Sequence, residues 1–327
     1  MITSVWPYEQ NPAYGPYVRD VVDEVRRQGV PADVLFIRGY RSAGAYLAGA
    51  LVALLMPIAY PRRYRLVHCH TGEAALAARF FVGAPVLASY LGTDILGAQV
   101  GGGLKLRATY GLRSRIIRAH AGLMSATTTK SREMEALLTP RARARNAVIP
   151  DGVDRARFHP RDRELARAEL GWRTDRTIVL FAGRVESPEK RLWLAREVVG
   201  LAGAEIPGLE LRIVSDVPPE AMPVHYAAAD CLLHTSVSEG SSNVIKEALA
   251  CDLPVLATPA GDVRELLDGV AGCMVCEPRA PALASALVEL LSRYRESDGR
   301  DHTGGLSIEE AARRTIAEYR ALGVPCS

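Results

Sequence analysis

Short runs of apolar residues, each bounded by turn residues, alternate along the chain with segments of helical periodicity. Ile2–Val5, Val34–Ile37, Leu66–His70 and Pro85–Ser89 open the pattern, and Ser125–Thr129 and Ala147–Ile149 complete it in the first half. Thr177–Ala182, Leu209–Val214, Cys231–His234 and Leu253–Ala257 continue it in the second. Short, near-continuous apolar runs suit strands buried on both faces. Between them Tyr17–Gln28 reads as an amphipathic helix ended by Gly29, and Ser307–Leu322 as a last one. The alternation predicts an α/β protein with parallel sheets.

Ser42–Tyr60 departs from this pattern, with 19 residues and no charge. Three readings stand: a buried helix, which leads; a helix lying on a lipid surface; and a membrane span, against which Gly44, Gly49 and Pro57 count. The basic cluster Arg62, Arg63 and Arg65 just after it keeps the surface reading in play.

The densest chemistry lies in Glu239–Leu267, read as loop, helix, buried strand, loop, helix. Ser241, Ser242 and Asn243 are N-cap types before a helix whose apolar face is Val244, Ile245, Ala248 and Leu249. Free backbone N–H groups at a helix start favour an anion, phosphate above all. Glu239 stands in the loop and Glu247 one turn into the helix. A carboxylate beside a phosphate site is best explained by sugar or ribose hydroxyls that it can accept from. The stretch therefore suggests a nucleotide sugar.

Composition narrows the class. The 327 residues, 48% hydrophobic and 24% charged, suffice for two soluble domains. Met1–Val5 lacks the basic start of a cleavable leader. The six cysteines are scattered, Cys273 and Cys276 being the one close pair, which is the usage of reduced cysteines in a cytosolic core rather than of a metal site. Arginine outnumbers lysine 36 to 4, so the lysines are informative, and Lys190 and Lys246 both fall in candidate motifs. Residues 1–150 hold 19 Lys+Arg against 9 Asp+Glu, and residues 151–327 hold 21 against 28. The basic first half suits an anionic acceptor or a membrane surface; no motif with interleaved aromatics supports nucleic acid. Lys105, Arg107, Arg113, Arg115 and Arg118 follow a Gly-rich loop, Gln99–Gly103, that matches neither a dinucleotide fingerprint nor a P-loop.

The run Glu-x7-Glu, with Glu-Ala, Leu-Pro-Val and Gly-Asp-Val around it, resembles the retaining glycosyltransferases of family 4 (glycosyl transferases group 1). The resemblance extends over nearly the whole chain. Gly15 matches a first-loop glycine, Val67-His68-Cys69-His70 the Val-His-x-His segment, and Gly183-Arg184 to Lys190 the Gly-Arg-x5-Lys pattern. Ile149-Pro-Asp-Gly-Val-Asp154 matches the interdomain turn, usually Asn-Gly-Val-Asp. Two departures stand out: Leu91 occupies the place of a histidine that touches the donor sugar, and the chain is trimmed between Val214 and Tyr226.

The resemblance implies a GT-B fold, two Rossmann-like domains facing across a cleft. Residues 1–149 would bind acceptor, 150–305 nucleotide sugar, and a C-terminal helix in 306–327 would cross back to the first domain. It implies Glu239, Arg184 and Lys190 as catalytic; Gly15, Ser241, Ser242, Asn243, Glu247 and Asp216 as donor-binding; and His70, Asp94 and Asp154 as acceptor or sugar contacts or, equally, structural groups. With no Asp-x-Asp in the chain, no metal or other cofactor is expected. The implied reaction is retaining transfer from a UDP- or GDP-sugar to an acceptor hydroxyl in secondary-metabolite or cell-surface glycan synthesis. The expected acceptor is a glycan, lipid-linked sugar or natural product. The expected location is cytoplasmic, with peripheral membrane contact through the basic first domain as a variant. The rival is a catalytically weak nucleotide-sugar-binding partner of another transferase.

Overall fold

A computed structural model describes residues 1–325 apart from 40, 43, 98–103 and 216, and gives the backbone alone for 104–109. The chain forms two compact units. One runs to Gly152 and takes back Ile308 onwards; the other comprises Val153–Ser307.

The first unit holds a six-stranded parallel sheet of β1 (Ile2–Thr3), β2 (Leu35–Phe36), β3 (Val67–His70), β4 (Val86–Ser89), β5 (Ala126–Thr129) and β6 (Asn146–Val148), in the order β2-β1-β3-β4-β5-β6. The order reverses between β1 and β3, and open parallel sheets take ligands at the carboxyl ends of the strands at such a point. Register places Thr3 beside His70, His70 beside Ser89 and Ser89 beside Thr128, a polar row at that edge. The helices Pro16–Arg27 and Ile308–Ala321 cover one face, where Val21, Val25, Ala312, Ile316 and Tyr319 bury Leu87 and Ala126. The return of the last helix is fastened by polar contacts as well. Tyr319 Oη lies 2.6 Å from His68 Nδ1, and His68 Nε2 lies 2.7 Å from Ser89 Oγ.

The second unit holds β7 (Thr177–Ala182), β8 (Leu209–Val214), β9 (Cys231–His234), β10 (Val255–Ala257) and β11 (Cys273–Val275), all parallel, in the order β11-β10-β9-β7-β8. Here the reversal falls between β7 and β9. Side chains alternate: Ile178, Leu180 and Leu232 face the helix Asn243–Ala250, whereas Val179, Phe181 and Leu233 face the helices Leu192–Ala202 and Ala280–Arg293. At the opposite edge Asp230 accepts from Arg167 Nη2 and from Ile178 N, both at 2.6 Å. The Ala-Asp before β9 is thus a structural anchor.

The expected burial of Ser42–Tyr60 does not hold. It forms the helix Gly44–Ala59, in which Gly49 and Ala53 alone are fully buried. Leu47 and Ile58 are 76% and 75% exposed, and Leu51, Leu54 and Leu55 also face solvent. The reason is local: apart from Tyr46, the residues on the inner face are small, and a Cβ at Gly49 would stand 2.6 Å from Ile37 Cδ1. No helix among the described residues is long and apolar enough to cross a membrane.

Ile316→Ala would open a cavity under the last helix, and large-to-small changes of this kind cost about 2–5 kcal/mol. The urea midpoint of the first unit should fall accordingly; an unchanged midpoint would mean that this helix does not close the core.

Candidate active site

The loop leaving β7 carries Lys190 at the end of a single 3-10 turn, Pro188–Lys190. Arg191 follows in a left-handed conformation, φ +49°, which a non-glycine residue holds at a cost of about 1–3 kcal/mol. It is pinned because its guanidinium donates to the carbonyls of Thr235 (2.6 Å) and Ser236 (2.9 Å) and to Thr258 Oγ1 (3.1 Å). Thr235 Oγ1 in turn donates to the carbonyl of Lys190 at 2.7 Å. The loops after β7 and β9 are thereby tied together at the point of strand reversal.

That tie brings Lys190 Nζ to 2.5 Å from Glu239 Oε1. His234, the last residue of β9, lies 3.2 Å from the same oxygen through Nε2, which is also within 3.1 Å of Ser242 Oγ and 3.3 Å of Ser236 Oγ. Burial alone would raise the Glu239 pKa. The Lys190 ammonium and the His234 hydrogen bond outweigh it and hold the carboxyl well below the usual carboxylate range. Glu239 is therefore a fixed anion, suited to accept hydrogen bonds and to stabilise positive charge, not to donate a proton.

Ser242 is the N-cap of the helix Asn243–Ala250, its Oγ accepting from Ile245 N. Ser241 Oγ accepts from the fully buried Lys246 Nζ at 3.2 Å. One turn on, Glu247 accepts from Tyr226 Oη at 2.8 Å, which orients a carboxylate near the helix start. The loop after β10 closes on this cluster: at Gly261 (φ +59°) a Cβ would lie 2.5 Å from the Glu239 carbonyl oxygen. The neighbouring Asp262 is buried, which pushes its pKa up to about 6 against the opposing effects of a Ser241 hydrogen bond and the Lys246 charge. Asn243 Oδ1 and Asp262 Oδ1 are buried without a hydrogen-bond partner among the described residues.

Of the residues singled out from sequence, Lys190, Glu239, Ser241, Ser242 and Glu247 fall in this one region, with Asn243 at its helix start. Arg184 leaves the same strand but is exposed, and its guanidinium has no partner among the described residues. Asp216 lies outside the described residues, as do the Gln99–Gly103 loop and the side chains of Lys105 and Arg107. His234, Arg191, Tyr226 and Asp262 were missed. A histidine ending an otherwise apolar strand is the available signal for the first, and the Gly-Asp-Val motif for Asp262; no local pattern assigns a site role to Arg191 or Tyr226.

The first unit has its own polar set. Gly15 begins the helix Pro16–Arg27 at φ +75°, and a Cβ there would meet Val5 Cγ1 at 2.2 Å, so its backbone shape alone requires glycine. His70 is buried, with Nε2 unpartnered among the described residues. Burial, aided by the charge of Lys130, lowers its pKa to about 3, so the ring is neutral near pH 7. Thr71 beside it is held at φ +101° by contacts to Ser4 Oγ (2.7 Å) and Ala74 N. Lys130, directly after β5, forms a buried pair with Asp151 at 2.7 Å. Asp94 accepts from the backbone N–H groups of Gly72, Leu91, Gly92 and Ile95, and so holds the loop after β4. Asp154, in the second unit, caps the turn after it through Ala156 N and Arg157 N.

These arrangements define a class: two Rossmann-like units, one with a capped helix start beside a paired lysine and glutamate. Solved structures show the same architecture. The chain is similar to a sucrose-phosphate synthase from Thermosynechococcus elongatus (TM-score 0.80, 19% identity, 98% of each chain covered). It is likewise similar to Anabaena HepE in complex with UDP and glucose (TM-score 0.70, 15% identity, 98% of each chain). At such identities the likeness establishes the fold, which is GT-B. The glycosyl transferases group 1 family matches residues 212–293, the stretch that contains Glu239, Ser242 and Glu247. A D-inositol 3-phosphate glycosyltransferase of Geodermatophilus obscurus is 34% identical over 214 residues, 54% of this chain and 47% of that protein. One of Mycobacteroides abscessus is 28% identical over 323 residues, 85% of this chain and 71% of that protein. Residues 212–293 thus match the glycosyl transferases group 1 family, and the chain spans about half the length of the first of these relatives.

Asp262 supplies a pH test of this loop. Its pKa is about 6 when folded against the ordinary aspartate value of 3.8, so the native state binds the extra proton between these values and stability falls as pH rises from 4 to 6. Asp262→Asn should remove that slope in urea melts across the window; a slope kept in full would place the proton on another group.

Proposed function

We propose that the protein is a retaining, metal-independent glycosyltransferase that moves a sugar from a nucleoside diphosphate sugar to an acceptor hydroxyl. The observation that carries this is the Lys190–Glu239–His234–Ser242 cluster at the carboxyl ends of β7 and β9. Lys190, the nearby Arg184 and the helix start at Ser242 would neutralise the diphosphate. Glu247, set by Tyr226, would accept from the ribose hydroxyls, and Glu239 from the donor sugar beside its anomeric carbon. Within the first unit, the neutral His70, its Nε2 unpartnered among the described residues, suits a hydroxyl contact.

In this mechanism the bond from the anomeric carbon to the diphosphate oxygen breaks, and the acceptor oxygen bonds the same carbon on the same face. The acceptor proton passes to the departing phosphate oxygen. Glu239, held ionised by Lys190 and His234, stabilises the positive charge that develops on the sugar ring. Its pairing makes it a weak nucleophile, which favours same-face transfer over a covalent glutamyl intermediate. UDP in the HepE structure supports a uridine donor, and the inositol phosphate in the relatives' names supports a polyol or phosphorylated acceptor. The second reading, a catalytically weak nucleotide-sugar binder that assists another transferase, is favoured by Leu91 and by the trimming between Val214 and Tyr226.

UDP- and GDP-sugars offered with EDTA test this directly. One donor should be hydrolysed slowly, with Glu247→Ala abolishing the reaction and Lys190→Ala lowering kcat about 10²–10³-fold. Binding without turnover, acceptors included, would favour the assisting partner. Neither binding nor turnover would overturn the proposal.

A further inference from the structure

We propose that the outer face of the helix Gly44–Ala59 docks on an anionic lipid bilayer surface. In a water-facing helix the large apolar side chains turn inward; here the order is inverted. Ala45, Gly49, Ala50 and Ala53 lie against the core, while Leu47, Leu51, Leu54, Leu55 and Ile58 form an outward stripe at helical spacing. The helix is seated and not adrift, since Gly49 leaves no room for a Cβ against Ile37. Its 16 residues span ~24 Å at 1.5 Å per residue, short of a bilayer core of about 30 Å. A helix of this kind lies in the interface plane with its apolar face in the acyl boundary.

The charges around the stripe choose the occupant. The helix itself carries none, but Arg38 and Arg41 precede it and Arg62, Arg63 and Arg65 follow it, all exposed. Asp33 engages Arg63 at 3.1 Å, leaving Arg62 and Arg65 without an ion-pair partner among the described residues. Tyr60, beneath the Arg63 guanidinium at 5.4 Å, is the amphipathic ring that headgroup regions favour. An apolar stripe with cations at both ends matches anionic headgroups over acyl chains. A second copy laid against the same stripe would instead bring these arginine clusters together.

The test is flotation of the intact protein with vesicles of phosphatidylcholine, with and without 30% phosphatidylglycerol, alongside light scattering. It needs no sugar donor, so its outcome is independent of the proposed transfer. The protein should float with the anionic vesicles. Binding should weaken about tenfold or more in Leu47→Ser/Leu51→Ser/Ile58→Ser and become insensitive to salt in Arg62→Gln/Arg65→Gln, with unchanged melting curves because all five side chains are exposed. Absence of flotation, equal flotation of the apolar variant, or a dimer that this variant dissolves would each overturn the proposal.

Discussion

The ion pair between Lys190 and Glu239 is the contact on which the second unit's site depends. Taking two charges largely out of water costs several kcal/mol each unless geometry and further hydrogen bonds offset it. The offset comes from elements far apart in sequence: the turn after β7 supplies Lys190, the end of β9 supplies His234, and the N-cap of the following helix supplies Ser242. The strained Arg191 and the close approach of Gly261 exist to keep those elements in register. A cation, an anion and a capped helix N-terminus then stand together at the strand reversal, where parallel sheets open to ligands.

The two units spend their polar groups differently. In the second, buried groups around the helix start keep unfilled valences, as at Asn243 Oδ1 and Asp262 Oδ1. In the first, most polar groups satisfy one another: Asp94 is filled by four backbone donors, and Lys130 neutralises Asp151. His70 Nε2, one of several buried side-chain atoms of this unit without a partner among the described residues, belongs to a neutral ring at the sheet's point of reversal.

Much of this was legible in the sequence because parallel strands buried on both faces must be apolar runs, and a helix start must be capped. The order of elements and the capped helix that carries Glu247 follow from those demands, and the GT-B fold from the resemblance of the motifs around Glu239 and Glu247. What escaped is what no local pattern encodes. A charge-free segment such as Gly44–Ala59 does not announce which face turns inward, and size, not polarity, decided it. Asp94 carries the signature of a site carboxylate, yet only the loop's path shows its oxygens already engaged. The importance of lysine in an arginine-rich chain was read at Lys190 and Lys246 but applied equally to Lys130.

Calorimetric titration of UDP and GDP in EDTA tests the central claim most directly. The account predicts that one nucleotide binds the native protein, and that Lys190→Met and Glu247→Ala each weaken it by about 10-fold or more, the cost of removing one charged contact. Equal affinity in all three proteins, or no binding of either nucleotide at millimolar concentration, would contradict it.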